Sequence, residues 1–204
     1  MPRTTPEAQQ LARQEIAARA ARLIAEDGLD YAGAKRKAVR EVLGSSKVQG
    51  ELMPDNEEIA EEVRIYQQLF QADTQPARLA ALRRTALALM RLLKPFQPYL
   101  TGAVLNGTAS THSDIHLQLF TDSAKDVEIF LLNQGIDFDA QEVAAERGRV
   151  EVLSFMWPTD RRGRIQPEGA HLSIHTHESA RAGAAERADV AALERLIDES
   201  EQPS

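Results

Sequence analysis

The fold is decided by residues 99–120, which read YLTGAVLNGTASTHSDIHLQLF. An apolar run ends at Asn106-Gly107-Thr108, a short polar turn follows, and a second apolar run begins after Asp114. Short apolar runs bounded by glycine and small polar residues are typical of strands, so we expect a strand, a turn and a second strand. Because residues two apart in a strand point to the same side, Asp114 and His116 are expected on one face and the apolar residues on the other.

The strand, the glycine turn and the Ser-Asp-Ile sequence of residues 113–115 resemble the nucleotidyltransferase superfamily of DNA polymerase β. In that superfamily the turn approaches a nucleoside triphosphate, and an Asp-x-Asp pair on the next strand holds two magnesium ions. The resemblance covers roughly residues 79–157 and implies an α+β fold, in which a small mixed β-sheet is backed by helices. One position departs from the pattern, because His116 stands where the second carboxylate is expected.

The resemblance implies a nucleotide site at the turn. Gly107, Thr108 and Ser113 are its candidate nucleotide-binding residues, since a glycine lets the backbone approach a phosphate without a Cβ in the way. A Gly-Thr pair is equally typical of a plain hairpin turn. The sequence therefore leaves two interpretations of the turn, one as a phosphate site and one as a structural element.

The resemblance also implies a metal site, in which Asp114 and Glu151 are the catalytic carboxylates. The predicted ligands are Asp114, His116 and Glu151, and Glu151 is also expected to accept a proton from the attacking hydroxyl. Mg²⁺ or Mn²⁺ is the implied cofactor, and zinc is an alternative because imidazole suits zinc better than magnesium. The structural alternatives are a turn-stabilising Asp114 and a Glu151 that pairs with Arg149.

Composition limits the function classes. The 204 residues carry a net charge of −7, so no overall basic field attracts nucleic acid, and a polynucleotide substrate is disfavoured. The chain has no cysteine, which excludes disulfides and thiolate metal sites and fits a reducing compartment. The sequence shows neither a signal peptide nor an apolar run of membrane-spanning length, so we expect a cytoplasmic protein of a bacterium-like cell without membrane contact.

Helical periodicity dominates the first part of the chain. Amphipathic patterns over 6–27, 30–43 and 54–70 predict an N-terminal helical module, residues 1–75. Residues 76–204 are then the nucleotidyltransferase-like domain. It opens with a helix over 77–94, whose arginines, Arg83 among them, are expected on the solvated side.

The remainder of the chain predicts helices and further strands. A buried helix is expected to end at 133–135, followed by a short strand over 136–139, a helical stretch over 141–146, strands over 149–157 and 170–177, and a closing helix over 179–199. Strand alternation places His171, His175 and His177 on one face, where they either converge with Asp114 or line a solvated surface. Three arginines in the loop 158–169 either grip a triphosphate or keep the loop soluble: Arg161, Arg162 and Arg164.

Three functions follow from these patterns. The first is a nucleotidyltransferase that moves a nucleoside monophosphate from a nucleoside triphosphate to a hydroxyl acceptor of unknown identity, with a divalent metal. The second is a catalytically degenerate member that binds a nucleotide or a protein as a regulator, as the Asp-x-His sequence favours. The third is a helical interaction protein whose sheet is only structural.

Overall fold

The computed structural model describes residues 6–44, 50–145, 148–158, 167–180 and 186–201. The chain divides into two compact units. One contains residues 1–78 together with the short segment Thr108–His112, and the other contains residues 79–107 and 113–204. The segment that follows Gly107 in the sequence is therefore part of the helical unit.

The first unit is helical. It contains α1 (Pro6–Asp27), α2 (Tyr31–Leu43), a 3-10 turn (Gly50–Leu52) and α3 (Asn56–Phe70). Side chains cap two of these helices, since Asp30 accepts from the Gly33 amide and Asp55 forms a capping box with Glu58. Apolar faces of the three helices meet in one core, which includes Ile16, Ala20, Leu23, Ala34, Ala38, Ile59 and Val63.

The second unit combines a sheet with helices. The division between the units falls within α4 (Gln75–Leu92). The other helices are α5 (Gly102–Asn106), α6 (Ala124–Asn133), α7 (His177–Ala180) and α8 (Val190–Glu201), and a 3-10 turn spans Lys94–Phe96. The strands are β1 (Tyr99–Thr101), β2 (Ile115–Phe120), β3 (Asp139–Ala145), β4 (Gly148–Trp157) and β5 (Glu168–His175).

The sheet is mixed, with the strand order β1-β2-β5-β4-β3. The central pair, β2 and β5, is parallel, and the other three pairs are antiparallel. The predicted α+β class with a small mixed sheet is therefore confirmed.

The two faces of the sheet differ in chemistry. The apolar face carries buried side chains from β2, β4 and β5, namely Ile115, Leu117, Leu119, Leu153, Phe155, Ala170, Leu172 and Ile174. The opposite side, which we call the polar face, carries Asp114, His116, Ser154 and His171, all at least partly exposed. The predicted alternation of β2 is confirmed, and it sets the position of the candidate site.

The predicted first strand is too long. Only Tyr99–Thr101 is extended, and Gly102–Asn106 forms the short helix α5 in place of the expected strand. Gly102 has a φ of +72°, which turns the chain out of the strand, and Gly107 ends the helix with a φ of +86°. Val104 and Leu105 are both buried, which one helical turn allows and a strand with one exposed face does not.

Three further predictions are corrected. Residues 139–145 form a strand and not a helical stretch. His177 begins α7 and does not continue the row of His171 and His175 along β5. The closing helix α8 starts only at Val190, after Ala188 bridges to Leu100. The arginines predicted to grip a triphosphate, Arg161, Arg162 and Arg164, lie outside the described residues.

Candidate functional site

The polar face carries one continuous row of polar side chains across all five strands. The register pairs Thr101 with His116, His116 with His171, His171 with Ser154, and Ser154 with Asp139. Direct cross-strand partners share a face, so these five side chains stand on the same side of the sheet. The sequence raised the convergence of β5 histidines with Asp114 as one alternative, and the register confirms it for His171.

A hydrogen-bonded network joins three side chains of this face. Nε2 of His171 lies 3.1 Å from Oδ2 of Asp114, and Nδ1 of His171 lies 2.8 Å from Oγ of Ser154. Both distances lie in the normal hydrogen-bond range. The imidazole of His171 therefore links a carboxylate to a hydroxyl.

The carboxylate fixes the direction of both hydrogen bonds. An ionised carboxylate only accepts, so Nε2 of His171 carries the proton in its bond to Asp114. In the neutral ring Nδ1 then holds the lone pair, and Ser154 donates its hydroxyl proton to it. The network thus selects one tautomer of His171.

The approach of Asp114 to β5 requires a glycine at position 169. A Cβ built on Gly169 would lie 2.2 Å from Oδ1 and 2.5 Å from Cγ of Asp114. Any other residue would displace the carboxylate, which also bonds His171. The missing side chain of Gly169 therefore leaves the space that the carboxylate of Asp114 occupies when it bonds His171.

His116 stacks on His171. The ring centroids are 4.9 Å apart with an interplanar angle of 20°. Desolvation by the surrounding protein lowers the pKa of His116 below its ordinary value of 6.5, and the neighbouring His171 adds to this, while Asp114 acts in the opposite direction. The neutral form of His116 is therefore favoured beside the network.

A second serine and histidine pair lies further along the same face of β5. Nε2 of His175 is 3.2 Å from Oγ of Ser173, which also donates to the carbonyl of Leu117 at 3.2 Å. Burial lowers the pKa of His175, and the nearby Arg187 lowers it further. This pair has a cation beside its imidazole where the first pair has a carboxylate.

The predicted phosphate turn is packed inside the helical unit. Thr108 and Ser110 are only 1% and 3% exposed. The buried amide of Gln67 donates to the carbonyls of Thr108 at 2.9 Å and Ala109 at 3.3 Å, and Gln75 donates to Ala109 at 3.1 Å. These contacts are those of a structural turn.

Gly107 closes α5 beside a buried arginine. Arg83 donates from Nε to the carbonyl of Val104 and from Nη2 to that of Leu105, both at 3.1 Å. Burial lowers the pKa of Arg83, which is only 8% exposed, so its expected place on the solvated side of α4 is wrong. The guanidinium satisfies the last carbonyls of a helix that is too short to do so internally. The nucleotide-binding roles of Gly107, Thr108 and Ser113 stay predictions.

Glu151 does not meet Asp114 and His116. It pairs with Ile174, which pairs with Leu119, so its side chain belongs to the apolar face. The row of Glu151 is five residues along β2 from Asp114, about 16 Å at the rise of a strand. The expected proximity of these three residues is therefore wrong, because the pleat and the register separate them.

Carboxylates surround Glu151. It lies directly opposite Glu142 on β3 and shares a hydrogen bond with Glu128 of α6. Desolvation raises the pKa of Glu151 above its ordinary value of 4.5, and Glu128 and Glu142 raise it further. Lys125 acts in the opposite direction, and Arg149, the partner expected for Glu151, pairs with Glu142 at 2.7 Å. Glu151 therefore lies among carboxylates that are partly balanced by nearby cations.

The predicted metal set does not fit the geometry. Among the described residues, no three His, Asp or Glu side chains are grouped so that they could hold a metal ion. Oδ2 of Asp114 is engaged by His171, and the predicted third ligand lies on the other face. Asp114 and His116 do share a face, and their catalytic and metal-binding roles stay predictions.

A cavity of about 770 Å³ adjoins Ser154. Its walls carry nearly as much polar as apolar surface; the lining includes Phe138, Met156, Trp157, Asp137, Asp139 and Ser154. The volume lies within the usual range for small-molecule sites. Ser154 thus belongs both to the network and to a cavity.

No protein-family model matches the chain, and no curated protein sequence matches it. Solved structures match part of it. A crystal structure of the Cid1 poly(U) polymerase bound to MgATP has 17% identity and a TM-score of 0.35, and covers 48% of this chain and 32% of its own. A second Cid1 structure, described by its RNA terminal uridylyl transferase activity, has 18% identity, a TM-score of 0.35 and coverage of 56% and 36%.

A cytoplasmic RNA terminal U-transferase has 17% identity, a TM-score of 0.31 and coverage of 50% of this chain and 29% of its own. This chain therefore spans about a third of the length of the solved chains it matches. Likeness at these TM-scores carries no inference about what this chain binds or does. No helix within the described ranges has the length and apolar character needed to cross a membrane.

Sequence reasoning missed Ser154 and Gly169. Strand periodicity places Ser154 on the face opposite Leu153, but only the register shows that His171 is its neighbour. Gly169 stands beside a loop in the sequence, where a glycine has an ordinary explanation. The close approach of Asp114 is visible only in three dimensions.

Proposed function

We propose that this chain is a catalytically degenerate nucleotidyltransferase-like protein that binds a nucleotide as a regulator. The observation that carries the proposal is the position of Glu151, which lies on the apolar face while Asp114 and His116 lie on the polar face. Two-metal transfer needs several carboxylates around one pair of ions. Among the described residues, Asp114 has no second and third ligand grouped around it that could complete such a site.

The hydrogen bonds of Asp114 support the same proposal. Its Oδ2 accepts from His171, which in turn accepts from Ser154, so the carboxylate takes part in a protein network. A carboxylate without a metal repels phosphates. Nucleotide binding by the degenerate protein is therefore expected to proceed without any help from Asp114.

The test is the melting temperature of the wild type and of Asp114→Asn with each nucleoside triphosphate, in Mg²⁺ or in a chelator. A nucleotide at a hundred times its dissociation constant adds about 2.7 kcal/mol of stability, which corresponds to a few degrees for a chain of this size. We expect a shift that does not need the metal and that Asp114→Asn keeps or enlarges, because the substitution removes a like charge. No shift with any nucleotide would overturn the proposal.

Metal-dependent transfer of a nucleoside monophosphate to a hydroxyl acceptor is the second candidate. It is favoured by the exposure of the Asp114 side chain, which is 47%, on the same face as His116. The same experiment separates the two candidates. For transfer, the shift needs Mg²⁺ or Mn²⁺ and Asp114→Asn abolishes it, and pyrophosphate accumulates with time.

A further inference from the structure

We propose that Asp114, His171 and Ser154 form a metal-free acyl-transfer site. Ser154 is the nucleophile, His171 is the general base, and Asp114 orients the imidazole. This activity is separate from nucleotide binding and uses residues that the degenerate metal site leaves without another role.

The geometry is that of an activated nucleophile. A hydroxyl within hydrogen-bond reach of an imidazole, whose other nitrogen is held by a third group, is the arrangement that activates serine in unrelated folds. Here the two distances are 2.8 Å and 3.1 Å. Ser154 faces Nδ1 and Asp114 faces Nε2, and either ring nitrogen can serve as the base once the other carries the proton.

The cavity beside Ser154 indicates the substrate class. Phe138, Met156 and Trp157 provide apolar and aromatic walls, while Asp137 and Asp139 disfavour a negatively charged ligand. The substrate that fits is an uncharged or cationic carboxylic ester with an apolar group. Anionic esters are expected to react more slowly.

The step balances without a cofactor. Oγ of Ser154 attacks the carbonyl carbon of the ester, and its proton passes to Nδ1 of His171. The bond between the carbonyl carbon and the alcohol oxygen breaks, and the alcohol leaves with that proton. Water then attacks the acyl-serine by the same route, which releases the carboxylic acid and restores Ser154.

The rate is expected to be modest. β4 is paired with β3 on one side and β5 on the other, so its backbone amides form hydrogen bonds within the sheet. They are therefore not available to stabilise the oxyanion that forms when Ser154 attacks an ester. General base catalysis alone contributes about 10²- to 10⁴-fold. We therefore expect acylation only by reactive esters, followed by slow turnover.

Ser173 and His175 provide a matched control in the same chain. They lie on the same face and are hydrogen-bonded at 3.2 Å, but Arg187 and not a carboxylate influences His175. If a hydroxyl beside an imidazole were sufficient, Ser173 would react like Ser154. The proposal requires Ser154 to react faster.

The first test uses the absence of cysteine from the sequence. Ser154→Cys and Ser173→Cys each carry a single thiol, and their alkylation by iodoacetamide reports how strongly the site activates a nucleophile. We expect Ser154→Cys to react at least about tenfold faster, as a thiolate fraction raised by a neighbouring base implies. Adding His171→Gln should remove the difference, and adding His175→Gln should not. Equal rates, or rates that His171→Gln leaves unchanged, would overturn the proposal.

The second test uses the wild-type chain with a fluorophosphonate probe and with p-nitrophenyl butyrate. We expect the probe to modify Ser154, as mapped by peptide mass spectrometry, and the ester to give a burst of one nitrophenol per chain. Ser154→Ala should abolish both, and Ser173→Ala should leave both within about twofold, with melting curves to confirm folding. Labelling elsewhere, or none, would contradict the proposal. No nucleotide enters either test, so its outcome is independent of nucleotide binding.

Discussion

One sequence motif contributes to two different environments in this molecule. Thr108–His112 belongs to the helical unit, where Thr108, Ala109 and Ser110 are buried and Gln67 and Gln75 donate to the carbonyls of Thr108 and Ala109. Asp114 and His116, a few residues later, stand on a partly exposed sheet face, where Asp114 is hydrogen-bonded in the network with His171 and Ser154, and His116 stacks on His171. A motif that resembles one nucleotide site is therefore divided in this chain between a structural turn and a polar face of the sheet.

The largest expected effect comes from a substitution beside the Thr108–His112 segment, at Gly28. Gly28 follows α1 with a φ of +67°, and a Cβ on it would lie 2.5 Å from Cβ of His112. Gly28→Ala therefore adds a steric clash to the cost of a left-handed alanine, and we expect a loss of about 2–5 kcal/mol in the free energy of unfolding. Urea denaturation measures this loss.

Gly44→Ala is the matched control. Gly44 ends α2 with a φ of +64°, and a Cβ there would meet nothing within 4 Å. Its cost is expected to be only the backbone term of about 1–2 kcal/mol. Equal losses for the two variants would show that His112 does not pack against Gly28 as the structure has it.

Gln67→Leu is expected to have the next largest effect. The substitution keeps the size of a side chain that is 4% exposed but removes the donor to the carbonyls of Thr108 and Ala109. Leaving buried carbonyls without that partner costs about 1–3 kcal/mol. Gln68→Leu makes the same change at an exposed neighbour and should cost less than about 0.5 kcal/mol. A cost for Gln67→Leu as small as the control would argue against a turn held by this side chain.

Gly169→Ala tests the network on the polar face of the sheet. The new methyl group would displace Asp114 from β5 and break its bond to His171, and the exposed carboxylate can turn towards water. We expect a loss of only about 0.5–1.5 kcal/mol, the net value of a typical hydrogen bond. In the Ser154→Cys background the same substitution should slow alkylation. Alkylation at an unchanged rate would show that Asp114 does not support His171.

Glu151→Gln is expected to have the smallest effect and the opposite sign. Glu151 lies opposite Glu142 and beside Glu128, and like charges directly opposite cost about 0.2–1 kcal/mol. Its pKa is raised in the folded state, so the folded chain holds this proton more tightly than the unfolded chain. The resulting advantage is present at low pH and is lost as pH rises from 4.5 through the raised pKa.

The variant should therefore gain stability over the wild type only above about pH 4.5. Glu15→Gln, an exposed position on α1, should show no such pH-dependent gain. A destabilised Glu151→Gln would mean that the charge of Glu151 is needed, as a metal-ligand role would require.

The sequence was sufficient to predict the helical first part, the α+β class and the alternation that puts Asp114 and His116 on one face. These features depend on local periodicity and on side chains that cap helices, such as Asp30 and Asp55. The predicted length of β1 was wrong because buried apolar residues such as Val104 and Leu105 fit a helical turn as well as a strand. Apolar character alone does not distinguish the two in so short a segment.

The site was harder to predict because it depends on strand register. Glu151 and Ser154 lie three residues apart on β4, so the pleat sends them to opposite faces. Whether Glu151 or Ser154 lies on the face of Asp114 depends on the register of β4 against β5, and this register is set by long-range pairing. The contacts of His171 likewise follow from strand pairing and not from any local pattern, since Asp114 is 57 residues away from it in the sequence and Ser154 is 17 residues away.

NMR of the His171 imidazole nitrogens at mildly alkaline pH, where imidazole is neutral, tests most directly whether the polar face holds a metal-free network. We expect a ring protonated at Nε2, with Nδ1 accepting a hydrogen bond, and no change when Mg²⁺ is added. Asp114→Asn should weaken the preference for this tautomer. A ring protonated at Nδ1 would contradict the network of Asp114, His171 and Ser154. Nitrogen signals of His116 and His171 that shift and saturate with Mg²⁺ would instead support a metal site on this face.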